Sequence, residues 1–452
     1  MGDEPGESRP DTIAPTSTRP APTFPALVIA THGRIYQRDG EFSVARTRDG
    51  RHLLIAFIVI EVLAIWFVHW IDTRGYMDTE IYRLGARAWL NGYQLYGDLT
   101  PESPDSSTLP FIYPPFAAIL FTPLNWMSVD TAVFTVAVCS HLAILTTAYA
   151  FAKSSPHLAP RAGLVAVATA GLMPWLTLLE PARETLNYGQ INLVLMALVA
   201  ADCLLPRTRW PRGLLVGLAA AIKLTPLGFL LLFLLRRDHR AMAVSAATFA
   251  ATVLIGWLAM PRDAAEWWLD EMWSTTESFG TVYAGNLTLR SLLAKQELSG
   301  VALDVLWVTG SALLLVLAVL GIRYALRAAD VPLALVINAA WVLLASPISW
   351  SHHWVWVAPA LALVFAMSVR RRWYGMTFAA VLCALTVAIG PQWYLPYTND
   401  REMDWTFSQQ IVGNAYTLIG IGFLVSAAVA YVRFRPVTPS PIPKAPRTRE
   451  RT

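Results

Sequence analysis

Charge is scarce in this chain. Only 15% of its 452 residues are Asp, Glu, Lys or Arg, against about 25% in an ordinary soluble protein. With 55% hydrophobic residues, that deficit excludes a soluble globular fold and makes domain counting from length meaningless. Cysteine is scarce too. Cys139, Cys203 and Cys383 all sit inside apolar stretches, without metal-ligand spacing or an obvious disulfide partner. They read as small buried hydrophobes. No His-x-x-x-His pair occurs beside His352 and His353, and no Cys lies near them, so zinc is not expected. No cleavable signal is expected at the start of this sequence. Residues 1–51 are polar, Pro-rich and charged, with only a brief apolar patch at Leu27 to Ala30. The internal repeat common in transporters is also missing.

What the chain has is long hydrophobic runs, several near the roughly 20 residues that cross a bilayer. They predict an all-α polytopic membrane protein. Spans are expected near 53–71, 131–152, 163–179, 191–205, 241–260, 303–322, 331–346, 354–367, 376–389 and 412–431. Residues 114–127 are expected as a Pro-broken entering helix, and part of 86–96 as a short helix in a long outer loop. The domain division is a tail at 1–51, a membrane domain at 52–433 and a basic tail at 434–452. Both tails are expected to be disordered and cytoplasmic. The net charge is +4, and the basic residues fall in short clusters between apolar runs. That pattern follows the positive-inside rule and argues against nucleic acid as a partner. Many of the eighteen Trp lie at segment ends, as interfacial rings do.

One segment breaks the simple threading. Arg207, Arg209 and Arg212 precede GLLVGLAAAIKLTPLGFLLLFLL, and Arg236, Arg237 and Arg240 follow it. Both clusters belong on the cytoplasmic side, which a single crossing cannot satisfy. Two half-helices meeting between Lys223 and Pro226 can. About eleven residues at roughly 1.5 Å each reach about half the hydrocarbon thickness. Pro226 supplies the break, and Lys223 then points into a cavity from the outer side. A continuous helix with Lys223 snorkelling is the plainer alternative.

Asp78 lies just after the first run, and no comparable acid occurs at the other membrane edges. A carboxylate there is costly unless it has a task or a partner. The threading gathers Asp78, Arg183, Lys223, Asn286, His352 and His353 at the outer leaflet.

The strings GYMDTEIYRLGARAWLNGYQLYG, LPFIYPPFAAILFTPL, NYGQINLVLMALVAADCLL, RGLLVGLAAAIKLTPLGFLLLFLLRRD and SPISWSHHWVW together resemble glycosyltransferase family 87 of the GT-C superfamily. The nearer likeness is to the actinobacterial polyprenyl-phosphate-mannose-dependent α-1,2-mannosyltransferases that build phosphatidylinositol mannosides and lipomannan. The resemblance implies a GT-C bundle, a lipid-phosphate sugar donor arriving through the membrane, and an acidic base in the first outer loop. Asp78 is the residue at that place, with Asp72 as its rival and Glu80 as a supporting partner. A β-linked donor and an α-linked product imply one inverting displacement. The phosphodiester leaves without protonation, so one base suffices, unlike the carboxyl pair of glycoside hydrolysis.

Lys223 is the candidate for the donor phosphate. One of His352 and His353 is expected to donate to phosphate or hold the acceptor, the other to sit at the interface. Arg183, Asn187 and Gln190 are candidates for sugar or phosphate oxygens, although Arg183 and Glu184 also suit a surface ion pair. Tyr113 is expected to shape the site wall. Asn286 opens an Asn-Leu-Thr string read as an accidental sequon and a possible sugar contact. No cofactor or metal is expected. Grooves between spans would take the polyprenyl tail at about 0.8 kcal/mol per buried methylene. The expected partners are that donor, a mannosylated inositol glycolipid and membrane lipid, with the site facing the periplasm of a plasma-membrane protein. Transfer of another sugar such as arabinose, and a lipid or sugar transporter, are the competing readings.

Overall fold

Apolar runs closed by polar caps give helices along most of the described residues. A computed structural model describes residues 48–71, 75–96, 110–155, 158–273 and 280–433. Among the described residues the only β pairing is a single antiparallel bridge between Asn286 and Trp350. The predicted tails fall outside the described residues except for 48–51, and Asp72 falls outside them too.

The first long helix, α1, is Arg48–Trp70. A shorter one, α2, is Met77–Asn91. Two short helices follow, α3 at Pro115–Leu120 and α4 at Thr122–Asn125, where the sequence predicts a Pro-broken segment. Next come α5 (Val129–Ser154), α6 (Ala162–Leu178), α7 (Glu180–Tyr188) and α8 (Asn192–Leu204). The broken segment supplies α9 (Leu214–Ile222), a 3-10 turn at Thr225–Phe229, and α10 (Leu230–Leu235). Beyond it lie α11 (His239–Ala259), α12 (Pro261–Glu266), α13 (Leu289–Ala294), α14 (Gly300–Arg327) and α15 (Val331–Ala345). A 3-10 turn at Ser351–Trp356 opens α16 (Val357–Arg370), and α17 (Tyr374–Ile389), α18 (Phe407–Gly413) and α19 (Ala415–Arg433) complete the bundle.

Among the described residues six helices are long and apolar enough to cross a membrane, or seven if α6 and α7, bent by 71°, form one span. Shorter apolar helices, including α8, α15 and α17, stand beside them. This is a polytopic helical membrane protein. The long helices expose Ile55, Ile58, Trp66, Leu258 and Val305, as lipid contact requires. The interior is closed by small residues. Ala148, Ala200, Ala219, Ala220, Ala318, Ala334 and Ala339 are fully buried, letting helices approach closely where lipid gives no hydrophobic drive. Eleven of the residues of α15 are buried, so this helix forms the centre of the bundle.

Helix starts follow from side-chain caps. Ser128, Asp238 and Asp330 accept from Thr131, Ala241 and Leu333 amides at 3.2, 3.0 and 3.0 Å, each cap contributing about 1 kcal/mol. The start of α9 is capped from another helix. Asp202 Oδ2, fully buried near the end of α8, accepts from Gly213 N at 2.9 Å and Val216 N at 3.1 Å. Arg212 donates to the Asp202 and Leu205 carbonyls, and Arg236 donates to Cys203 O at 3.2 Å. Both basic clusters therefore meet the same end of α8, and the segment between them goes in and returns on itself.

Candidate active site

The site is built where α2 docks on the end of α7. Tyr76 N donates to Asn187 O at 3.2 Å, and Thr79 Oγ1 donates to Gly189 O at 3.2 Å. Gly189 ends α7 at φ +66°, and a Cβ there would lie 2.1 Å from Thr79 Oγ1. Conformation and close approach both demand glycine. Asp78 thus sits in the first turn of a helix, not on a loop as the sequence reading has it, because α2 begins at Met77.

Gln190 holds the carboxylate. Its Nε2 donates to Asp78 Oδ1 at 2.7 Å and to the Tyr113 hydroxyl at 3.0 Å. Its Oε1 accepts from the Tyr82 hydroxyl at 3.0 Å, and that hydroxyl accepts from Ile191 N at 3.1 Å. Tyr82 lies four residues after Asp78, on the same face of α2, and stacks on Phe121 with ring centroids 4.3 Å apart. Burial pushes the Asp78 carboxyl up to about 7, against the opposing pull of Lys223 in its charged form and of the Gln190 hydrogen bond. Burial raises the Tyr82 and Tyr113 phenols, which stay protonated. A carboxyl held near neutrality suits a general base.

Lys223 faces Asp78 from the helix break. The α9 helix stops at Ile222 because Pro226 has no N–H for the Ile222 carbonyl and its ring would crowd it. Lys223 follows in extended backbone, φ −150° and ψ 131°. Its Nζ lies 3.2 Å from Asn192 Oδ1 and 2.8 Å from His353 Nε2. Asn192 Nδ2 donates to His352 O at 3.1 Å, and Thr185 Oγ1 donates to the same carbonyl at 2.8 Å. Trp350 N donates to His353 Nδ1 at 3.2 Å. A narrow cavity of about 40 Å³ opens here, lined by Lys223, Asn192, Thr225, Phe229, His353 and Trp356. Leu343 and Trp356 also line an apolar groove of about 870 Å³ between α14, α15, α16, α17 and α19.

The other residues singled out in the sequence are spread around this centre. Asn187 is buried in the α7 end, and its Oδ1 has no partner among the described residues. Glu80 pairs with Arg83 at 2.5 Å, and Arg83 also donates to the Leu124 and Met127 carbonyls. Arg183 donates to Ala388 O at 2.8 Å, on the α17 side of α7. Asn286 is fully buried, its Oδ1 accepting from Ser349 N at 3.2 Å and its carbonyl from Lys295 at 3.0 Å. It staples the turn that carries Trp350. His352 packs edge-on to His353, ring centroids 4.8 Å apart. Sequence reasoning passes over Tyr82, Asn192 and Asp202. The signals were modest: Tyr82 shares a face with Asp78, and Asn192 stands two residues after Gln190. Among the described residues no cluster of three or more His, Cys, Asp or Glu is arranged to hold a metal ion.

A base near neutrality, a lysine at a helix break and an adjoining apolar groove can together receive an anionic lipid and deprotonate a hydroxyl. Comparison with known proteins places the chain in a family. The model of glycosyltransferase family 87 matches residues 111–347. The polyprenol-phosphate-mannose-dependent alpha-(1-2)-phosphatidylinositol mannoside mannosyltransferase of Mycobacterium tuberculosis is 34% identical over 397 residues, covering 85% of this chain and 92% of the relative. Its namesake in Mycolicibacterium smegmatis is 38% identical over 390 residues, covering 80% and 87%. The polyprenol-phosphate-mannose-dependent alpha-(1-2)-phosphatidylinositol pentamannoside mannosyltransferase of Mycolicibacterium smegmatis is 34% identical over 369 residues, covering 76% and 86%. No solved structure matches the chain. On the family match and the length of these alignments, the chain belongs to glycosyltransferase family 87.

Proposed function

We propose that this chain transfers mannose from polyprenyl-phosphate-mannose to a phosphatidylinositol mannoside, forming an α-1,2 bond with inversion. One arrangement carries the reading: a half-buried carboxyl, tied to Gln190 at 2.7 Å, and a half-buried lysine at a helix break lie close enough to feel each other's charge. Asp78 takes the proton of the acceptor hydroxyl as its oxygen bonds to the anomeric carbon. The bond from that carbon to the phosphate oxygen breaks, its electrons going to the phosphate beside Lys223. Gln190 keeps Asp78 aimed, and the unpartnered Asn187 oxygen suits a sugar hydroxyl. Glu80, Arg183 and Asn286 are already engaged within the protein. We assign them to holding the site rather than to touching substrate, and His352 to the same role through its carbonyl.

The groove beside Trp356 suits the polyprenyl tail, because each buried methylene contributes about 0.8 kcal/mol. Basic clusters at the far end from Asp78 favour a site facing the periplasm, with both termini cytoplasmic. The transferase domain is taken as 52–433, and the phosphate is met by side chains without a metal. The phosphatidylinositol mannoside is preferred over the pentamannoside because relatives named for it align over 397 and 390 residues, against 369 and 385 for those named for the pentamannoside.

The test is direct. Membranes containing the full chain, labelled polyprenyl-phosphate-mannose and a phosphatidylinositol mannoside should yield a glycolipid one mannose longer with an α-1,2 linkage. Product from polyprenyl-phosphate-arabinose and none from the mannose donor would overturn the sugar assignment. Vectorial movement of intact donor without product would favour a transporter.

A further inference from the structure

We propose that Lys223 rests as an uncharged amine, kept so by His353, and takes up a proton from solvent when the donor's phosphate arrives. The inference rests on the reading that an anionic lipid phosphate binds at this helix break. It follows from counting hydrogens. Trp350 N is a backbone amide and can only donate, so His353 Nδ1, 3.2 Å away, carries no proton. A neutral imidazole has one N–H, which must then be on Nε2. That Nε2 lies 2.8 Å from Lys223 Nζ. An ammonium has three donors and no lone pair, so two donors would collide at that distance. The contact is satisfied when Nε2–H donates to the lone pair of an amine.

The neighbours fix the same pattern. The Asn192 amide cannot be turned round, because its Nδ2 donates to His352 O and that carbonyl is also held by Thr185. Asn192 therefore offers Oδ1 to Lys223, which accepts one amine hydrogen at 3.2 Å. An imidazolium at His353 would put a proton on Nδ1, against the Trp350 amide. The charged and titratable groups facing the pair are few. From α2 there is Asp78, from the 3-10 turn there is His352, and α8 supplies the uncharged Asn192. The α15 side of the cavity contributes Ala339, Val342 and Leu343.

A phosphodiester carries one negative charge and brings no proton of its own. Its arrival favours the ammonium, so Lys223 gains a proton and releases the His353 Nε2–H. When the bond from sugar to phosphate oxygen breaks, the leaving group becomes a phosphate monoester with a second negative charge. Lys223 returns the proton to it, and the lipid phosphate departs as a monoanion while the amine re-forms its bond with His353. The acceptor's proton leaves separately from Asp78. Charge and protons balance over the cycle, and the resting amine leaves no donor set against a donor at the His353 contact.

Proton uptake is measurable. Full-length Asp78→Asn in nanodiscs is titrated with polyprenyl-phosphate-mannose at pH 8 in two buffers of different ionisation enthalpy. Removing the carboxylate eliminates its own contribution to uptake. The expected slope corresponds to about one proton per donor, falling well below one in Asp78→Asn/His353→Gln, where an acceptor oxygen replaces the Nε2–H. Binding with a buffer-independent enthalpy overturns this inference alone, because the donor site would still exist. Absence of donor binding in the wild type as well overturns the functional reading beneath it. Selective ¹⁵N-histidine spectra of the wild-type protein give a second readout, with a variant used only to assign the signal. The resonance lost in His353→Gln should report an unprotonated Nδ1 in the free protein, and a protonated Nδ1 would sink the proposal.

Discussion

Gln190 donates to Asp78 at 2.7 Å across 112 residues of chain, tying the loop after α7 to the first turn of α2. The bond favours the carboxylate form and partly offsets the effect of burial. Gln190→Ala is therefore expected to raise the Asp78 pKa further and to loosen its aim. A hydrogen bond to a charged group is worth about 1.5–3 kcal/mol, so turnover at pH 7 should fall roughly 10- to 100-fold. A pH–rate profile checks the cause: the rising limb should move to higher pH. An unchanged limb with reduced amplitude would point to aim alone.

The wild-type profile follows from the sign of the same shift. A base acts as the anion, and the Asp78 carboxyl is held at about 7. Turnover should be low at pH 6, half-maximal near 7 and level above about 8. Asp78→Asn should lower kcat by about 10²–10⁴ while labelled donor still binds. Normal glycolipid synthesis by that variant would remove Asp78 from the chemistry.

The helices were legible because their cause is local. Runs of apolar residues and terminal caps are written in consecutive positions, and the break between Lys223 and Pro226 is marked by a proline and by basic clusters on either side. The meeting of Arg212 and Arg236 on α8 is the folded counterpart of that charge pattern. Asp78 stood out because acids are rare at the other membrane edges. What stayed hidden depends on long-range approach. Asn192 meets His352 O from 160 residues away, and Arg183 meets Ala388 O from 205 away. Asp202 looks misplaced in LVLMALVAADCLL until the chain folds back and brings two amides to it.

Pro226 is expected to matter through geometry. Pro226→Ala restores an N–H for the Ile222 carbonyl and relieves a clash worth about 3 kcal/mol in a helix interior. The helix should then run on through Lys223 and rotate its side chain away from Asn192 and His353. The donor KM should rise at least about 10-fold, with the acceptor KM little changed. Equal rises in both would indicate general misfolding of the bundle.

Asp202 gives a stability prediction separate from chemistry. Its carboxylate accepts from Gly213 N, Val216 N and Trp210 Nε1 at 2.9, 3.1 and 3.1 Å, and the residue is fully buried. Asp202→Ala leaves two helix-end amides without a partner inside the protein, at about 1–3 kcal/mol for each buried group. The detergent-solubilised protein should lose several degrees in its unfolding midpoint. Specific activity per folded molecule should fall less than in Asp78→Asn, because Asp202 holds the far end of α9 and Lys223 sits at its tip. Asp202→Asn should recover only part of the midpoint, since an amide offers one acceptor oxygen where the carboxylate uses two.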